Sequence, residues 1–234
     1  MNGPKIIFNI PIFGGIPVTE TIVNSWIVMA IIFFVSLYLA HDLKKIPKGK
    51  QVLAEKIVTM LYDLVEQTMG KKGFSFAPYI GTLFAFSLLS SLCGMFAIRP
   101  PTADFNTTLC WALMTFVLVH YQGIKNHGIG GWLHGFIEPI AVILPLNVIG
   151  ELANPISLSF RHFGNIAAGL VITSLLYGGL TALTSMLFGG LQIPILALGL
   201  PAILSIYFDV FTAALQAFIF CMLTMVFVSG NMDD

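Results

Sequence analysis

Long apolar stretches without a charged residue alternate with short polar segments along the first half of the chain. Residues 21–40 form the first such run, and its 20 residues would make a helix about 30 Å long, enough to cross the hydrocarbon core of a bilayer. Residues 73–98 and 105–124 form two more runs of this kind. The pattern therefore predicts three membrane-spanning helices.

The segments that join these runs are polar in different ways. Residues 41–72 begin with a basic stretch, and over 51–69 apolar residues recur at helical spacing among charged ones. This spacing predicts an amphipathic helix that lies at the membrane surface. Residues 99–104 contain two adjacent prolines and are expected to form a loop. The segment 1–20 is expected to be external, and it lacks the pattern of a signal peptide.

Charged residues almost disappear from the last hundred residues. Between 131 and 232 the formal charges are Glu138, Glu151, Arg161 and Asp209. The stretch 132–188 would be about 85 Å long as one helix, which is far more than a bilayer is thick. We therefore expect a long, strongly tilted helix, broken near its start, followed by a return helix over 195–229.

These runs together predict an all-α polytopic membrane protein. It would be a single membrane domain over 1–234 with about five membrane helices, the last two forming a long, strongly tilted hairpin. Seven of the eleven lysines and arginines lie between His41 and Gly73. Because basic residues remain on the cytoplasmic side, the N-terminus is expected outside the cell and the C-terminus in the cytoplasm. The loop 99–104 is then an outer loop.

The composition narrows the class of protein. Apolar residues make up 57% of the chain and charged residues only 9%, against about 25% charged residues in soluble domains. These values exclude an ordinary soluble enzyme and a basic nucleic-acid-binding protein, and they make the lipid bilayer the expected surrounding. The three cysteines form no CxxC motif or Cys/His cluster. No metal site, disulfide framework or bound cofactor is therefore expected.

Arg161 is the residue that most needs a functional explanation. Arginine stays protonated in proteins, and a charge near the bilayer centre costs at least about 2.5–3.5 kcal/mol. Snorkelling explains it poorly, because the interface is too many residues away in either direction and the nearest formal charges are Glu151 and Asp209. At about 100° per residue, Gly164, Asn165 and Ala168 share its helical face. A second helix that carries a carboxylate could therefore approach Arg161 closely.

The return helix carries a complementary polar stripe. Asp209 and Gln216 are seven residues apart, so they are expected to lie one above the other. The same face carries Ser205, Thr212 and Ala213. Asp209 either faces water or an ion path, or it pairs with Arg161 as a buried ion pair. Gln216 is expected to make helix–helix hydrogen bonds, with Arg161 as a candidate partner.

Four other polar residues have two interpretations each. Glu138 and Glu151 either line a water-filled route into the membrane or make interfacial and helix-pairing contacts. His162 points about 100° away from its neighbour Arg161 and serves either in packing or in a relay. Asp104 either lines an ion entrance or caps the helix that follows it.

The chain carries two motifs of one family. It resembles subunit a of F-type ATP synthases (the F0 sector, the ATPase subunit 6 family) in an arginine signature, PISLSFRHFGNIAAG at 155–169, and in a last-helix signature, LQAFIF at 215–220. The segments 101–108 and 128–131 are similar to an outer loop and an inner turn of that family. The resemblance extends from about residue 20 to the C-terminus.

The resemblance implies a stator protein beside a rotating ring of c subunits. The b subunits of the peripheral stalk and the rest of the F1F0 complex would be further partners in a bacterial inner membrane. Two half-channels would carry protons, with Na⁺ as the alternative, to and from the ring carboxylate and so couple ion-motive force to ATP synthesis. Arg161 would be the essential arginine between them, and Gln216 would assist it. The half-channel groups would be Asp104, Glu151 and Asp209.

Some features depart from this family or leave other functions open. The chain has no nucleotide-binding motif, so ATP chemistry would take place on partner subunits and the chain would not be an enzyme by itself. Many bacterial members carry a carboxylate where this chain has Leu170, so Asp209 would act as the relay carboxylate alone. His162 stands where a leucine is usual. A secondary transporter in which Arg161 binds an anionic substrate, or a membrane scaffold, would also fit the composition.

Overall fold

A two-stranded hairpin followed by long helices makes up the described part of the chain. The computed structural model describes residues 4–11, 15–96, 98–138, 140–187 and 206–232. In chain order the elements are β1 (Ile6–Ile10), β2 (Ile16–Thr19), α1 (Glu20–Ala40), α2 (Lys50–Met69), α3 (Ala77–Leu92), α4 (Phe105–Gly135), α5 (Leu144–Leu187) and α6 (Thr212–Ser229). Turns of 3-10 helix lie at Lys71–Phe76, Cys93–Phe96, Pro101–Ala103 and Ala141–Ile143, and a π-helical turn lies at Ile206–Phe211.

Within this part of the chain, five stretches are long and apolar enough to cross a membrane. They are Glu20–Ala40, Lys71–Phe96, Phe105–Gly135, Ala141–Leu187 and Asp209–Ser229. The prediction of an all-α polytopic membrane protein with about five membrane helices is therefore confirmed. Helices α1 and α2 begin and end within one residue of the predicted runs 21–40 and 51–69.

The N-terminal segment contains a β-hairpin that the sequence pattern did not predict. Strands β1 and β2 pair antiparallel, with Ile6 opposite Thr19 and Ile10 opposite Ile16. Gly15 has a φ of +94° just before β2, a conformation that glycine adopts without steric cost. The Glu20 N–H donates to the Lys5 carbonyl at 2.8 Å, so the hairpin leads directly into α1.

A single glutamine holds the loop between α1 and α2. The Gln51 Oε1 accepts a hydrogen bond from the Lys44 N–H at 2.9 Å, and its Nε2 donates to the Lys44 carbonyl at 2.7 Å. The same Nε2 donates to the Glu55 carboxylate at 2.7 Å. Further along α2, Val65 and Met69 are buried in the main core. The amphipathic helix is therefore anchored at both ends, while its position at the membrane surface stays a prediction.

The core lies where α3, α4, α6 and the middle of α5 meet. Its buried apolar side chains include Ile80, Leu83, Trp111, Leu158, Phe220 and Met225. Polar groups inside it are paired across helices: Thr115 Oγ1 lies 3.1 Å from Thr224 Oγ1, and the Cys221 thiol donates to the Ile80 carbonyl at 3.8 Å. These contacts fix α6 against both α3 and α4.

The region between α4 and α5 differs from its predicted boundaries. The helix predicted over 105–124 continues to Gly128, where a φ of +70° kinks it before a short second segment. The stretch 132–188, predicted as a helix broken near its start, is interrupted after Gly135 and continues as α5 from Leu144. The Asn147 amide donates to the carbonyls of Phe136 and Glu138, at 2.9 and 3.1 Å, and folds this turn against the start of α5.

The described part of the return helix starts with a π-helical turn. Residues 206–211 are π-helical and α6 follows directly, whereas residues 188 and 195–205 of the predicted hairpin lie outside the described residues. Thr212 Oγ1 donates to the Tyr207 carbonyl at 3.3 Å, a five-residue spacing typical of the π form. The stacking of Asp209 above Gln216 was predicted for a regular α-helix, and this turn changes the spacing between them.

Candidate functional site

Arg161 is exposed near the middle of α5. Among the described residues, no carboxylate lies within ion-pair distance of its guanidinium and no side chain forms a hydrogen bond with it. A permanent charge on an apolar helix is costly unless water or an anion compensates it. The compensating group must therefore come from outside this part of the chain.

The face of α5 around Arg161 is open. Asn165 and Ala168 are exposed, and a Cβ added to Gly164 would meet no atom within 4 Å. Small residues around a cation allow a neighbouring helix to approach closely. The predicted small-residue face therefore exists and is not covered by the helices of its own chain that the structure describes.

Asp209 does not neutralise Arg161. Its carboxylate is partly exposed in the π-helical turn, and no ion pair joins the two residues. The structure thus does not contain the buried ion pair that was one of the two interpretations of Asp209. Thr212 bonds to the backbone of the same turn, and Ser205 lies outside the described residues.

Gln216 lies on the packed side of α6. It is 5% exposed, between Ala213 and Phe220, which are also buried. In the described part of the chain its amide forms no hydrogen bond with Arg161. The hydrogen bond that the sequence suggested between these two side chains is therefore not formed in this structure.

Two adjoining cavities open beside the first half of α5. They share Glu151, Asn154 and Asn231 in their walls. The larger, about 580 Å³, also contains Glu138, and the smaller, about 180 Å³, continues between α4, α5 and α6 past Thr115. Glu138 and Glu151 thus line one cavity, which fits the interpretation of a water-filled route.

Pro155 leaves a backbone carbonyl near this site without its usual hydrogen-bond donor. It is buried one turn after Glu151 and lines the smaller cavity. Since proline has no N–H, the Glu151 carbonyl receives no helical hydrogen bond from residue 155. The Glu151 carbonyl is therefore left without its usual helical partner, in a residue that lines both cavities.

Sequence reasoning missed Asn231. Its carbonyl accepts a hydrogen bond from the Asn126 amide at 2.7 Å, and its own amide donates to the Phe227 carbonyl at 3.3 Å. These contacts hold the end of the chain against α4 and place Asn231 opposite Glu151. No local pattern marks a single asparagine after an apolar run, so only the packing of α6 identifies it.

Glu138 and Asp104 both make local contacts. Glu138 is exposed at the rim of the larger cavity, 3.1 Å from His134 Nδ1. The Asp104 carboxylate accepts from the Asn106 N–H at 3.1 Å and so caps α4, the second of its two interpretations. The turn before Asp104 packs against α5, and the Phe105 ring lies 4.7 Å from the Phe160 ring. The loop 99–104 therefore leads directly to a contact with the turn of α5 that carries Arg161.

His162 points into the core. Its ring is 1% exposed and lies 5.7 Å from the Trp111 ring and 5.6 Å from the Phe220 ring. Its Nε2 is 3.5 Å from Ser87 Oγ. The predicted direction, away from Arg161, agrees with these contacts, and they are the contacts of a packed side chain.

A comparison with known proteins assigns the family. The family model described as ATP synthase A chain matches residues 22–229, most of the chain. The chain belongs to the ATP synthase A chain family. The resemblance seen in the arginine and last-helix signatures is thereby confirmed.

Individual relatives match the sequence of this chain over most of their own length. ATP synthase subunit a, sodium ion specific, of Propionigenium modestum is 34% identical over 266 residues, covering 100% of this chain and 86% of that protein. ATP synthase subunit a of Moorella thermoacetica is 35% identical, covering 93% of this chain and 92% of that protein. The chloroplastic ATP synthase subunit a of Stigeoclonium helveticum is 31% identical, covering 92% of this chain and 83% of that protein.

The ATP synthase A chain family supplies a membrane subunit of the ATP synthase complex. Together with the five membrane-capable stretches, this makes the chain a multi-pass membrane protein of that complex. The assignment favours ion transport within the complex over a secondary transporter that acts alone. Among the described residues, no three His, Cys, Asp or Glu side chains are grouped as metal ligands.

Replacing His162 by leucine is expected to change ion-driven ATP synthesis by less than about twofold. Leucine has a similar volume and keeps the apolar contacts of the ring, and such exchanges cost little in a packed core. ATP synthesis in membrane vesicles under an imposed ion gradient measures the effect. As a control, His162→Asp buries an unpaired charge and should reduce the amount of assembled complex. A loss of ATP synthesis in assembled His162→Leu complexes would instead assign His162 to a relay.

Proposed function

We propose that this chain is the ion-translocating stator subunit of a rotary ATP synthase. It passes ions through two half-channels to and from a carboxylate on a rotating ring of c subunits. The observation that carries the proposal is the exposed Arg161, which has no anionic partner among the described residues and is surrounded by small residues. A carboxylate on a neighbouring, moving helix supplies what this arginine lacks.

The chemistry of arginine suits this role. A fixed cation lowers the pKa of an approaching carboxyl group and so favours release of its ion. Arginine itself keeps its proton at all relevant pH values, so it cannot pass a proton directly from one half-channel to the other. The same charge repels cations and separates the two aqueous routes.

The first half-channel consists of the cavities that share Glu151, Asn154 and Asn231. Arg161 lies ten positions after Glu151, about 15 Å along the helix. Carboxylate and amide groups in the walls suit a route for water and cations. By the distribution of lysine and arginine, this route opens to the cytoplasm.

The second half-channel lies at the Leu92 end of α3, on the opposite side of the membrane from the first. The second and fifth membrane segments of an alternating chain run antiparallel, so the contact between Ile80 and Cys221 places the turn with Asp209 near Leu92. Leu170 lies at the same end, since its Cδ2 is 3.9 Å from where a Cβ on Gly94 would lie. Asp209, with the outer loop at Asp104 nearby, is the acid of this route.

The transported ion and the remaining partners follow from this assignment. The proposed ion is H⁺, and the sodium-specific relative makes Na⁺ the alternative. The c ring, the b subunits and the rest of the F1F0 complex are the proposed partners, and ATP chemistry belongs to them. The membrane potential contributes about 2.3 kcal/mol per charge per 100 mV, so several ions per turn supply the scale of energy that ATP synthesis requires.

Cysteine accessibility tests the first half-channel. In a variant whose native Cys93, Cys110 and Cys221 are replaced by alanine, Asn154→Cys and Asn231→Cys are expected to react with a water-soluble maleimide added from the cytoplasmic side. Modification should slow ion-driven ATP synthesis. Reaction in a hydrated cavity should be at least about tenfold faster than in lipid, because the thiolate is the reacting form.

Ile156→Cys provides the matched control. Ile156 is exposed on the same helix but does not line either cavity, so its thiol should react slowly. Equal rates at all three positions, or reaction only from the opposite side of the membrane, would contradict the proposed route.

A further inference from the structure

Gly123 lies directly behind a wall of the larger cavity of the proposed first half-channel. It is buried in α4, and a Cβ added to it would lie 3.0 Å from Asn231 Oδ1 and 3.0 Å from Trp132 Cδ1. Both of these neighbours line the larger cavity, and Asn231 also lines the smaller one. Two side chains of the cavity wall therefore rest on a position that has no side chain of its own.

The kink of α4 brings Trp132 to this position. Gly128 has a φ of +70°, which glycine adopts without steric cost. In a straight helix Trp132 would lie about 18 Å along the axis from His120, whereas the two rings are 5.5 Å apart. The segment after the kink therefore folds back against the first segment, and the edge of the indole ring reaches Gly123.

A chain of amides brings Asn231 to the same position. Gln122 Nε2 donates to Asn126 Oδ1 at 3.3 Å, and Asn126 Nδ2 donates to the Asn231 carbonyl at 2.7 Å. The first bond orients the Asn126 amide, and the second holds the backbone of Asn231 against α4. The Asn231 amide donates to the Phe227 carbonyl, and its oxygen rests over Gly123.

We infer that Gly123 and Asn126 are positioning residues of the first half-channel, which keep Asn231 in the cavity wall and the route open to water and cations. Gly123 leaves space behind the wall, and Asn126 holds the backbone of Asn231. Neither residue lines the two cavities, so both act through their neighbours. The role rests on the proposed function, because it exists only if ions pass through these cavities.

Added volume at position 123 has to move the wall. Non-bonded carbon atoms are in optimal contact at about 3.5–4.0 Å, so a methyl group would displace Asn231 and Trp132 by roughly 0.5 Å. Because protein interiors are close-packed, the displaced side chains move toward the cavity, where space is free. Gly123→Ala therefore narrows the cavity, and Gly123→Val narrows it further.

Modification of Asn154→Cys by a water-soluble maleimide measures how open the route is, since Asn154 lines both cavities. In the assembled complex without native cysteines, Gly123→Ala should slow modification from the cytoplasmic side about threefold and Gly123→Val about tenfold, because overpacking forces side chains to shift. Ion-driven ATP synthesis should fall in the same order. The matched control is Gly130→Ala, which should change neither rate, since a Cβ on Gly130 would meet no atom within 4 Å.

Asn126→Asp tests the holding contact without added volume. Aspartate still accepts the hydrogen bond from Gln122 but cannot donate to the Asn231 carbonyl. Asn231 is then free to leave the wall, so modification of Asn154→Cys should become about twofold faster, opposite in sign to the effect at position 123. A general loss of structure would move both variants in the same direction and would overturn the positioning role.

A double-mutant cycle tests whether Gly123 acts through Asn231. In the Asn231→Ala background the displaced amide is gone, so Gly123→Ala should slow modification of Asn154→Cys less than it does when Asn231 is present. An equal effect in both backgrounds would overturn the role. If Gly123→Val complexes do not assemble, Gly123→Ala and Asn126→Asp suffice for the test.

Two results separate the positioning role from the proposed function. If Asn154→Cys reacts from the cytoplasmic side but Gly123→Ala and Gly123→Val leave its rate unchanged, the positioning role is wrong and the ion route stands. If Asn154→Cys does not react from that side even with Gly123 in place, the proposed route is wrong, and the positioning role with it. Equal slowing at the control position Ile156→Cys would also overturn the role, because Ile156 lines neither cavity.

Discussion

Arg161→Gln is expected to abolish ion-driven ATP synthesis while the complex still assembles. Glutamine keeps hydrogen-bonding capacity but removes the charge, and an opposite charge nearby lowers a carboxyl pKa by about 1–3 units. Without it, release of the ion from the ring carboxylate should slow by about 10- to 1000-fold. ATP synthesis in membrane vesicles under an imposed ion gradient measures the loss, and immunodetection of the partner subunits measures assembly.

Assembly should survive because Arg161 makes no contact that holds the described fold together. Its side chain is exposed, and the core side chains of this part of α5, Leu158 and His162, lie on a neighbouring face of the helix, about 60–100° away. Thr181→Ala is a matched control on the same exposed helix, since the Thr181 hydroxyl bonds only to the Tyr177 carbonyl of its own helix. It should leave ATP synthesis unchanged.

Arg161→Lys separates the effect of charge from that of shape. Lysine keeps the positive charge but lacks the planar fork that binds a carboxylate in two places, so partial activity is expected. If Arg161→Gln complexes assemble and still couple ion flow to ATP synthesis, the chain is a scaffold and the proposed ion path is wrong.

The sequence predicted the helices well because their signal is local. An uncharged run such as 21–40 has few alternatives to a membrane helix, and α1 follows it closely. The N-terminal hairpin was not predicted, because antiparallel pairing between β1 and β2 stabilises it and not a hydrophobic pattern of the kind that marks the helices. The break near the start of the stretch 132–188 was expected, but its position was not, because the amide of Asn147, eleven residues after Phe136, holds the turn that interrupts the helix.

The candidate site was predictable where one helix carries it. The spacing along α5 correctly indicated that Gly164, Asn165 and Ala168 share the face of Arg161 and that His162 points elsewhere. The spacing along one helix did not predict the contacts between helices. The absence of an Arg161–Asp209 ion pair among the described residues and the position of Asn231 opposite Glu151 depend on how α6 packs.

Asp209→Asn is expected to lower proton-driven ATP synthesis by about 100-fold, with assembly intact. Proton transfer through a positioned acid is worth about 10²- to 10⁴-fold in rate, and asparagine cannot release a proton. The substitution keeps the size of a partly exposed side chain in the π-helical turn, so the fold should not change. Asp209→Glu, which keeps the acid, should retain substantial activity. The rate of ATP synthesis under an imposed proton gradient is measured for the unsubstituted protein, for Asp209→Asn and for Asp209→Glu.

A second acid at position 170 should restore part of the lost activity. Leu170 lies beside Gly94 at the end of α3, the end that the turn with Asp209 also approaches. Leu170→Glu in the Asp209→Asn background therefore returns a titratable group to the same route, whereas Leu170→Gln adds a polar group of the same size that cannot carry a proton. Rescue by both substitutions would show that hydration alone opens the route. Rescue by neither would contradict the position of residue 170 on this route, and normal activity of Asp209→Asn itself would mean that protons cross this half of the membrane without Asp209.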